Sequence, residues 1–361
     1  MRAELEELGF AGVRTEDRRV YFDGTAEDLA RANLWLRAAD RVLIRLAEFA
    51  CTSFDELYGG LHGIPWVDFL APRAALTVAA RSVKAKLSSV PAIQSVAKKA
   101  IIDAVSGTRS GGRVEETGPA YGVEVVLHED RASVCLDTTG PGLHKRGYRT
   151  GAGEAPLREN LAAALVLLSR WDPRRPFADP FCGSGTIAIE AALLARRIAP
   201  GISRRFAAEE WPHIPPDTWR RAREDARAAE RRDVALRIAA SDRDGKILET
   251  ARGNARKAGV ADCIAFHRAE IQALDPTGEF GCMVCNPPYA ERLGERREVE
   301  DLYRAMGRLH RRLDTWSIFV LTAHPEFQKF FGVRASKNRK LYNGNLKCYF
   351  YQYYGPLPRA L

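Results

Sequence analysis

The sequence lacks a long apolar segment. No run of about 18 apolar residues, the length that crosses a bilayer, occurs among its 361 residues. The first residues, MRAELEELGF, include acids and contain no apolar stretch of the kind found in secretory signals. These absences predict a cytoplasmic protein.

Cysteine is also scarce. The seven cysteines are odd in number and scattered along the chain, so no disulfide framework is predicted. Cys282 and Cys285 have a C-x-x-C spacing, but residues three apart in a strand face opposite sides, and no second Cys or His pair accompanies them. Cys182 has no suitably spaced His and Asp partners. Metal, redox and thiol-nucleophile chemistry are therefore weak alternatives, and no metal site is predicted.

The composition is that of a folded protein, with 46% hydrophobic and 28% charged residues. A chain of 361 residues is long enough for two or three domains. Lysine and arginine outnumber the acids by 55 to 46, an excess that favours an anionic partner such as nucleic acid. An arginine-rich composition produces the same excess in enzymes that have no such partner.

The first 150 residues mix strands with helices. Residues 1–45 predict the end of a helix, a strand at Arg19–Phe22 and a helix at Thr25–Ala39, with Thr25 as N-cap. The strand-like RVLIRLAEF and a helix at Phe54–Leu61 follow. Further along, ALTVAAR, YGVEVVLHED and RASVCLDTT predict strands, the last two joined as a hairpin. The pattern indicates a small α+β module.

From about residue 155, strands and helices alternate, which is typical of a parallel sheet covered by helices on both faces. Strands are predicted at Phe177–Pro180, Val234–Asp242, Cys263–Glu270, Phe280–Asn286 and Trp316–Thr322. Asn343-Gly344 separates two strand-like runs and so predicts an antiparallel hairpin. The charged segment Ser203–Asp233 predicts a helical insertion with a solvated face. The predicted fold class is therefore α/β: a Rossmann-like domain with an antiparallel C-terminal hairpin, preceded by the α+β module.

The segment DPFCGSGT, residues 179–186, follows a predicted strand and opens a helix. Its glycines let the backbone approach a ligand, and the helix N-terminus offers free N–H donors. Gly183, Gly185 and Ala188 also satisfy the dinucleotide fingerprint G-x-G-x-x-A. That fingerprint needs an acid at the end of the next strand about 20 residues on, and the acid that ends the second strand here, Asp242, comes far later. A nucleoside ligand without phosphates fits better than a dinucleotide; a ligand-free turn is the remaining alternative.

We therefore predict that this loop binds S-adenosylmethionine. Asp179 would reach the amino-acid part of the donor, Asp242 would accept the ribose hydroxyls, and Glu270 would accept the adenine amino group. The full predicted cofactor set is Asp179, Phe181, Cys182, Gly183, Gly185, Thr186, Asp242 and Glu270.

The strand FGCMVC leads directly into Asn286-Pro287-Pro288-Tyr289. Two prolines end the ladder and leave carbonyl oxygens as the available polar groups. The Asn286 side-chain oxygen and the Pro287 carbonyl can accept both hydrogens of a planar amino group and aim its lone pair at a methyl donor. Tyr289 offers a face for an unstacked base. A structural turn is the alternative, but a position opposite the glycine loop favours a catalytic loop that mainly positions its reactants.

Several segments together resemble the THUMP-domain RNA guanine-N2 methyltransferases. DPFCGSGTIAIEAALLARRIAPG, NPPYAERLG, LDTWSIFVLT and RKLYNGNLKCYFYQYYG carry the resemblance in the second half, and ANLWLRAADRV, EFACTSFDELY, SVKAKLSSVPAIQSVAKKAI and GLHKRGYR extend it over nearly the whole chain. The bacterial large-subunit rRNA branch, in its single-methyltransferase form, is the most similar.

The resemblance implies three domains: a partial ferredoxin-like domain at 1–50, a THUMP RNA-binding domain at 51–150 and a Rossmann-like methyltransferase domain at 151–361. It also implies S-adenosylmethionine as donor and the exocyclic N2 of guanosine in 23S rRNA as acceptor, with tRNA as the alternative. Relatives begin with a further strand and helix, so the ferredoxin-like sheet is expected to lack its opening strand. Glu270 stands where relatives often carry Asp.

Basic residues predict the RNA contacts. The candidates are Lys84, Lys86, Lys98, Lys99, Lys145, Arg146, Arg149, Lys337, Arg339 and Lys340. A solvated helix face, for the first four, and a structural linker, for the three near residue 147, are the alternatives. Binding through such residues depends on the RNA backbone and therefore on salt.

The Asn-Pro-Pro-Tyr loop does not by itself identify the acceptor, because adenine in DNA and glutamine in proteins also present planar amino groups. The basic module and the resemblance favour RNA. A non-catalytic RNA-binding or ribosome-assembly factor is the alternative from a different class of protein.

Overall fold

The computed structural model describes residues 1–16, 19–107, 116–149, 157–289 and 296–358. The chain folds into two compact units. The first comprises Met1–Leu143 and Gly201–Asp225, and the second comprises His144–Pro200 and Ala226–Leu361. None of the helices within these described ranges has the length and apolarity that a membrane span requires.

The first unit begins with a two-stranded antiparallel sheet flanked by helices. Its elements are α1 (Arg2–Glu7), β1 (Ala11–Glu16), β2 (Arg19–Asp23) and α2 (Ala26–Trp35). Thr25 caps α2 in a capping box with Asp28, as the sequence predicts. The predicted helix end at Ala39 is wrong, because the backbone N–H of Arg37 leaves the helix to donate to the buried Glu4 carboxylate.

A four-stranded sheet with two covering helices forms most of the first unit. The elements are β3 (Leu43–Ala50), α3 (Phe54–His62), β4 (Ala75–Val83), α4 (Val90–Gly107), β5 (Ala120–His128) and β6 (Arg131–Asp137). The strand order is β3-β6-β5-β4, with only β4 and β5 parallel. The predicted hairpin is confirmed: Glu129 and Asp130 join β5 to β6 with positive φ at both residues, as a two-residue turn requires.

The second unit is a seven-stranded mixed sheet between helices. Its elements in chain order begin with α5 (Glu159–Ser169), β7 (Phe177–Asp179) and α6 (Thr186–Ala195). After α7 (Pro216–Ala228), which begins in the first unit, come β8 (Ile238–Asp242), α8 (Gly245–Lys257), β9 (Ile264–Arg268), β10 (Cys282–Cys285), α9 (Arg296–Arg312), β11 (Ser317–Thr322), α10 (Phe327–Phe331), β12 (Lys337–Asn343) and β13 (Leu346–Tyr353).

The order of the seven strands is β12-β13-β11-β10-β7-β8-β9, in which the five strands from β11 to β9 are parallel and the β12–β13 hairpin is antiparallel. The predicted Rossmann-like fold with an antiparallel C-terminal hairpin is confirmed. The chain starts this sheet at β7 and proceeds to β8 and β9 on one side, then returns to β10 and β11 on the other. The switch point therefore lies between β7 and β10, where ligands bind in sheets of this kind.

The charged insertion contributes more than a solvated face. Residues 201–225 pack into the first unit, where the Trp211 ring stacks on Tyr121 at 4.6 Å and Phe206 stacks on Trp219 at 5.3 Å. The Trp211 indole also donates to the Ala120 carbonyl at 3.2 Å. Charged residues such as Arg220 remain exposed, so the prediction describes only one side of the insertion.

Candidate active site

The two predicted loops follow adjacent parallel strands. The glycine loop begins where β7 ends at Asp179, and the Asn-Pro-Pro-Tyr loop begins where β10 ends at Cys285. Because β7 and β10 pair directly and in parallel, both loops leave the same edge of the sheet at its switch point. The fold therefore brings together two motifs that are about a hundred residues apart in the sequence.

Asp179 occupies an unusual environment for a carboxylate. It is 1% exposed, its Oδ1 accepts from the Phe181 backbone N–H at 3.3 Å, and its Oδ2 has no hydrogen-bond partner among the described residues. Burial raises the pKa of Asp179 to about 8, and the nearby Asp242 carboxylate contributes to the increase. A buried carboxylate with one unsatisfied oxygen is suited to a cationic ligand group such as an ammonium.

The glycines of the loop serve different purposes. Gly183 has a φ of +50° and a Cβ built there would meet nothing within 4 Å, so this position faces open space. Gly185 has a φ of +85° and begins α6 as its N-cap; a Cβ there would lie 3.1 Å from Ala251. One glycine therefore leaves room for a ligand, while the other lets α6 pack closely against α8.

Asp242 ends β8, as predicted, and connects to the glycine loop. Its Oδ2 accepts from the Gly183 N–H at 3.0 Å and its Oδ1 accepts from the Asp244 N–H at 3.0 Å. Each carboxylate oxygen has a further lone pair, so the group can still accept from hydroxyl donors. Glu270 lies two residues beyond the end of β9 and is exposed.

The other predicted cofactor residues lie within the loop or at the first turn of α6. Phe181 is half-buried, while Cys182 and Thr186 are buried. Thr186 Oγ1 accepts a hydrogen bond from Arg149 at 2.9 Å. Burial raises the pKa of the Cys182 thiol well above its usual range, so the thiol stays protonated and is a poor nucleophile.

In the Asn-Pro-Pro-Tyr loop, the Tyr289 hydroxyl donates to Oδ1 of Asn286. Burial raises the pKa of Tyr289 above its usual range, which keeps that hydroxyl protonated as a donor. An amide oxygen has two lone pairs, so Asn286 retains one acceptor position. No described group donates to the Pro287 carbonyl. Asn286 and Pro287 thus present two adjacent acceptor oxygens.

Tyr303 and Thr322 also belong to this site, and sequence reasoning missed both. The Tyr303 hydroxyl lies 3.1 Å from the Pro288 carbonyl and 3.1 Å from the Thr322 hydroxyl. Tyr303 projects from the middle of α9 and Thr322 ends β11, the strand next to β10. The signal available in the sequence was the polar residue at the end of a buried parallel strand, which marks the ligand edge of the sheet.

The cysteines Cys282 and Cys285 are buried in β10 and free. Cys285 lies in the apolar cluster with α9, whereas Cys282 interacts with Ser169 of α5 on the other face of the sheet. Burial raises the pKa of Cys282 to about 12. Two protonated thiols on opposite faces do not form a chelating pair.

Two of the predicted RNA-binding residues need correction. Arg146 is 3% exposed and pairs with the buried Glu190 at 3.4 Å. Arg149 is largely buried and donates to Thr186 and to the Leu157 carbonyl, both at 2.9 Å. Neither guanidinium is presented to RNA, because each holds the segment before α5 against α6. A sequence shows the charge of such residues but not the buried groups that pair with them.

The remaining basic candidates lie on the surface. Lys84 pairs with Glu129 at 3.1 Å and Lys98 pairs with Glu116 at 2.7 Å, which reduces their net contribution to the field. The others are exposed, two on the first unit and four on the second: Lys86, Lys99, Lys145, Lys337, Arg339 and Lys340. Both units therefore carry exposed basic residues.

The hairpin residues divide between two faces. In the β12–β13 register, Arg339 pairs with Phe350 and Lys340 pairs with Tyr349. Arg339 and Lys337 thus share the face of Cys348, the residue that the Tyr289 hydroxyl contacts, while Lys340 lies on the opposite face. Lys337 and Arg339 are consequently on the face that leads to the Asn-Pro-Pro-Tyr loop.

The fold and site define a class: a Rossmann-like methyltransferase domain, with a glycine loop beside an Asn-Pro-Pro-Tyr loop at its switch point. Comparison with known families agrees. The family described as RMKL-like, methyltransferase domain, matches residues 146–352, the RlmL ferredoxin-like domain matches residues 1–43, and the THUMP domain matches residues 51–137.

Similar proteins span nearly the whole chain. A Bacillus subtilis (strain 168) protein, "Putative RNA methyltransferase YpsC", is 44% identical over 97% of this chain and 91% of its own length. The crystal structure of a "predicted N6-adenine-specific DNA methylase" from Listeria monocytogenes is 45% identical with a TM-score of 0.93, covering 98% of this chain and 92% of that one. The structure of SMU.472, complexed with SAH, is 43% identical with a TM-score of 0.92, covering 99% and 95%.

This chain therefore belongs to the RMKL-like methyltransferase family, with RlmL ferredoxin-like and THUMP domains preceding the methyltransferase domain.

Proposed function

We propose that the protein transfers a methyl group from S-adenosylmethionine to the exocyclic N2 of a guanosine in 23S rRNA. The observation that carries the proposal is the pairing of two loops at one switch point: a buried acid with an unsatisfied oxygen on β7, and two adjacent acceptor oxygens after β10. The first fits the donor, and the second fits a planar amino group.

The donor site fits the chemical groups of S-adenosylmethionine. Asp179 would hold the ammonium of the methionine part, Gly183 leaves open space at the loop, and Asp242 has lone pairs for the ribose hydroxyls. Glu270, exposed beyond β9, would accept from the adenine amino group. The SMU.472 relative was crystallised with SAH, the product form of this donor, which supports the same choice here.

The acceptor loop needs only to position the base. S-adenosylmethionine supplies an activated, electrophilic methyl group, so no metal and no general base is assigned. Oδ1 of Asn286 and the carbonyl of Pro287 accept the two amino hydrogens and direct the nitrogen lone pair toward the donor. Tyr289 fixes the Asn286 amide through its hydroxyl and offers its ring to the unstacked base.

RNA is the acceptor polymer that the domain content favours. A THUMP domain lies upstream, the B. subtilis relative is named as an RNA methyltransferase, and both units carry exposed basic residues. The Listeria relative is named as a DNA adenine methylase, and adenine N6 would fit the same two acceptors. Domain content therefore separates these acceptors where the loop does not.

Purified protein and labelled donor test the proposed reaction. Large-subunit rRNA, small-subunit rRNA, tRNA and DNA are incubated separately, and the labelled nucleoside is identified by mass spectrometry. We expect N2-methylguanosine from the large-subunit rRNA. N2-methylguanosine from tRNA alone would support the alternative substrate, and N6-methyladenine would overturn the guanine assignment. A protein that binds RNA but transfers no methyl group would be a binding or assembly factor.

A further inference from the structure

Tyr303 lies entirely within the protein, yet its hydroxyl reaches the acceptor loop. The residue is 0% exposed, and its ring packs edge-on against Phe327 at 4.9 Å and against the His324 imidazole at 5.4 Å. These contacts hold the ring in place. The hydroxyl therefore stays 3.1 Å from the Pro288 carbonyl.

The hydrogen-bond directions around this hydroxyl are determined by the groups present. A carbonyl oxygen can only accept, so the single proton of Tyr303 goes to Pro288. The Thr322 hydroxyl, 3.1 Å from Tyr303, must then donate to it, and the Thr322 oxygen accepts from the His324 backbone N–H at 3.1 Å. The result is a directed chain of hydrogen bonds from the end of β11 to the loop after β10.

This hydrogen-bond chain has a consequence for the loop geometry. The Pro288 carbonyl points into the protein and is bonded, while no described donor reaches the Pro287 carbonyl. Two successive prolines have fixed φ angles, so fixing one carbonyl strongly restricts the direction of the other. The Pro288–Tyr289 peptide is fixed by the same bond, and with it the starting direction of the Tyr289 side chain.

We propose that Tyr303, oriented by Thr322, is a positioning residue that holds the Pro288 carbonyl inward and thereby directs the Pro287 carbonyl toward the acceptor amino group. The inference rests on the proposed role of this loop, but not on the identity of the methylated base. Tyr303 itself does not touch the substrate. It acts through the loop.

Tyr303→Phe removes one oxygen and keeps the packed ring. We expect kcat to fall roughly tenfold, as the loss of one buried hydrogen bond allows. The Kd for S-adenosylmethionine and the KM for RNA should change by less than about twofold, because donor binding uses the β7 side and RNA affinity depends mainly on the backbone.

Tyr353→Phe is the matched control. Tyr353 is a buried tyrosine of the same apolar cluster, and its hydroxyl also donates to a backbone carbonyl, that of Val333, at 3.4 Å. This variant should keep the wild-type kcat. An unchanged kcat in Tyr303→Phe, or an equal loss in the control, would overturn the proposal.

Thr322 provides a second test through the direction of the hydrogen-bond chain. Thr322→Val should lower kcat, and Thr322→Ser, which keeps the hydroxyl, should restore it. The double variant with Tyr303→Phe should be no slower than Tyr303→Phe alone, since both changes break one chain of bonds. Losses that multiply, or a serine variant as slow as the valine variant, would contradict this coupling.

The kinetics are measured on whichever amino acceptor the wild-type protein methylates. A product other than N2-methylguanosine would therefore refute the proposed substrate while leaving the Tyr303 comparison valid. A wild-type N2-methylguanosine product with a fully active Tyr303→Phe variant would refute only the positioning role.

Discussion

At the scale of single residues, the burial of Asp179 has a cost that the folded protein alone does not recover. A carboxyl at 1% exposure with one unsatisfied oxygen is destabilising unless it is protonated or meets a partner. Its pKa of about 8 indicates that the proton supplies this neutralisation at pH 7. A bound ammonium would take over that function, and the proton would then leave.

Binding of S-adenosylmethionine should therefore be linked to proton release. The pKa of Asp179 is about 8 in the free protein and falls when an ammonium lies beside it. Below pH 8 each binding event releases most of one proton, and the Kd rises as the pH is lowered, approaching tenfold per pH unit. Calorimetry at pH 7 in buffers of different ionisation enthalpy measures this release.

Asp179→Asn is the matched variant for that measurement. It should bind the donor roughly ten- to hundredfold more weakly, as expected for loss of a charged hydrogen bond, and its Kd should lose the dependence on pH below 8. Proton release that persists unchanged in Asp179→Asn would assign the titration to another group.

Asn286→Ala tests the acceptor loop at the same scale. The change removes one of two acceptor oxygens and should lower kcat roughly a hundred- to thousandfold, as removal of a positioned transition-state partner does. Donor affinity should stay within about twofold, because Asn286 follows β10 rather than β7. A variant with wild-type turnover would show that the amino group is held elsewhere.

At the scale of elements, the alternation of strands and helices predicted the parallel sheet because buried parallel strands are short apolar runs with polar ends. β10 and β11 are buried throughout, and Asn286 and Thr322 lie at their ends. The Asn343-Gly344 turn identified the hairpin for an equally local reason. β1 was missed because its residues are exposed on both faces and show no alternation.

Pairing across the fold was beyond local reasoning. Arg146 and Arg149 were interpreted as RNA contacts because their carboxylate partners, Glu190 and Glu159, follow later in the chain. In the sequence Tyr303 is one apolar position of a helix, since its contact with Pro288 exists only after α9 packs on the sheet. Such residues are found from tertiary contacts alone.

The two faces of the C-terminal hairpin allow a matched test of RNA contact. Neutralising Lys337 and Arg339 with glutamine removes charge from the face of Cys348, whereas neutralising Lys340 and Lys347 removes the same charge from the opposite face. The first pair should raise the KM for RNA more and should lower the slope of affinity against salt concentration by about one per lost phosphate contact. Equal effects from both pairs would indicate only long-range attraction.

At the scale of the whole molecule, the sequence predicted the order of the parts, and the family matches place ferredoxin-like, THUMP and methyltransferase domains in that order. The segment 201–225 could not be assigned this way. It interrupts the methyltransferase half in sequence but buries Trp211 and Trp219 in the first unit. Its exposed charges dominated the sequence pattern, and a few large aromatic residues decided where it packs.

The central claim is that this protein methylates guanine N2 in large-subunit rRNA, and mass-spectrometric mapping tests it most directly. N2-methylguanosine is mapped in rRNA and tRNA from a strain that lacks the gene, from its parent, and from strains complemented with the wild-type or the Asn286→Ala protein. We predict one N2-methylguanosine in 23S rRNA that is absent from the deletion strain, restored by the wild-type protein and not restored by Asn286→Ala. Identical maps in the parent and deletion strains would contradict the claim.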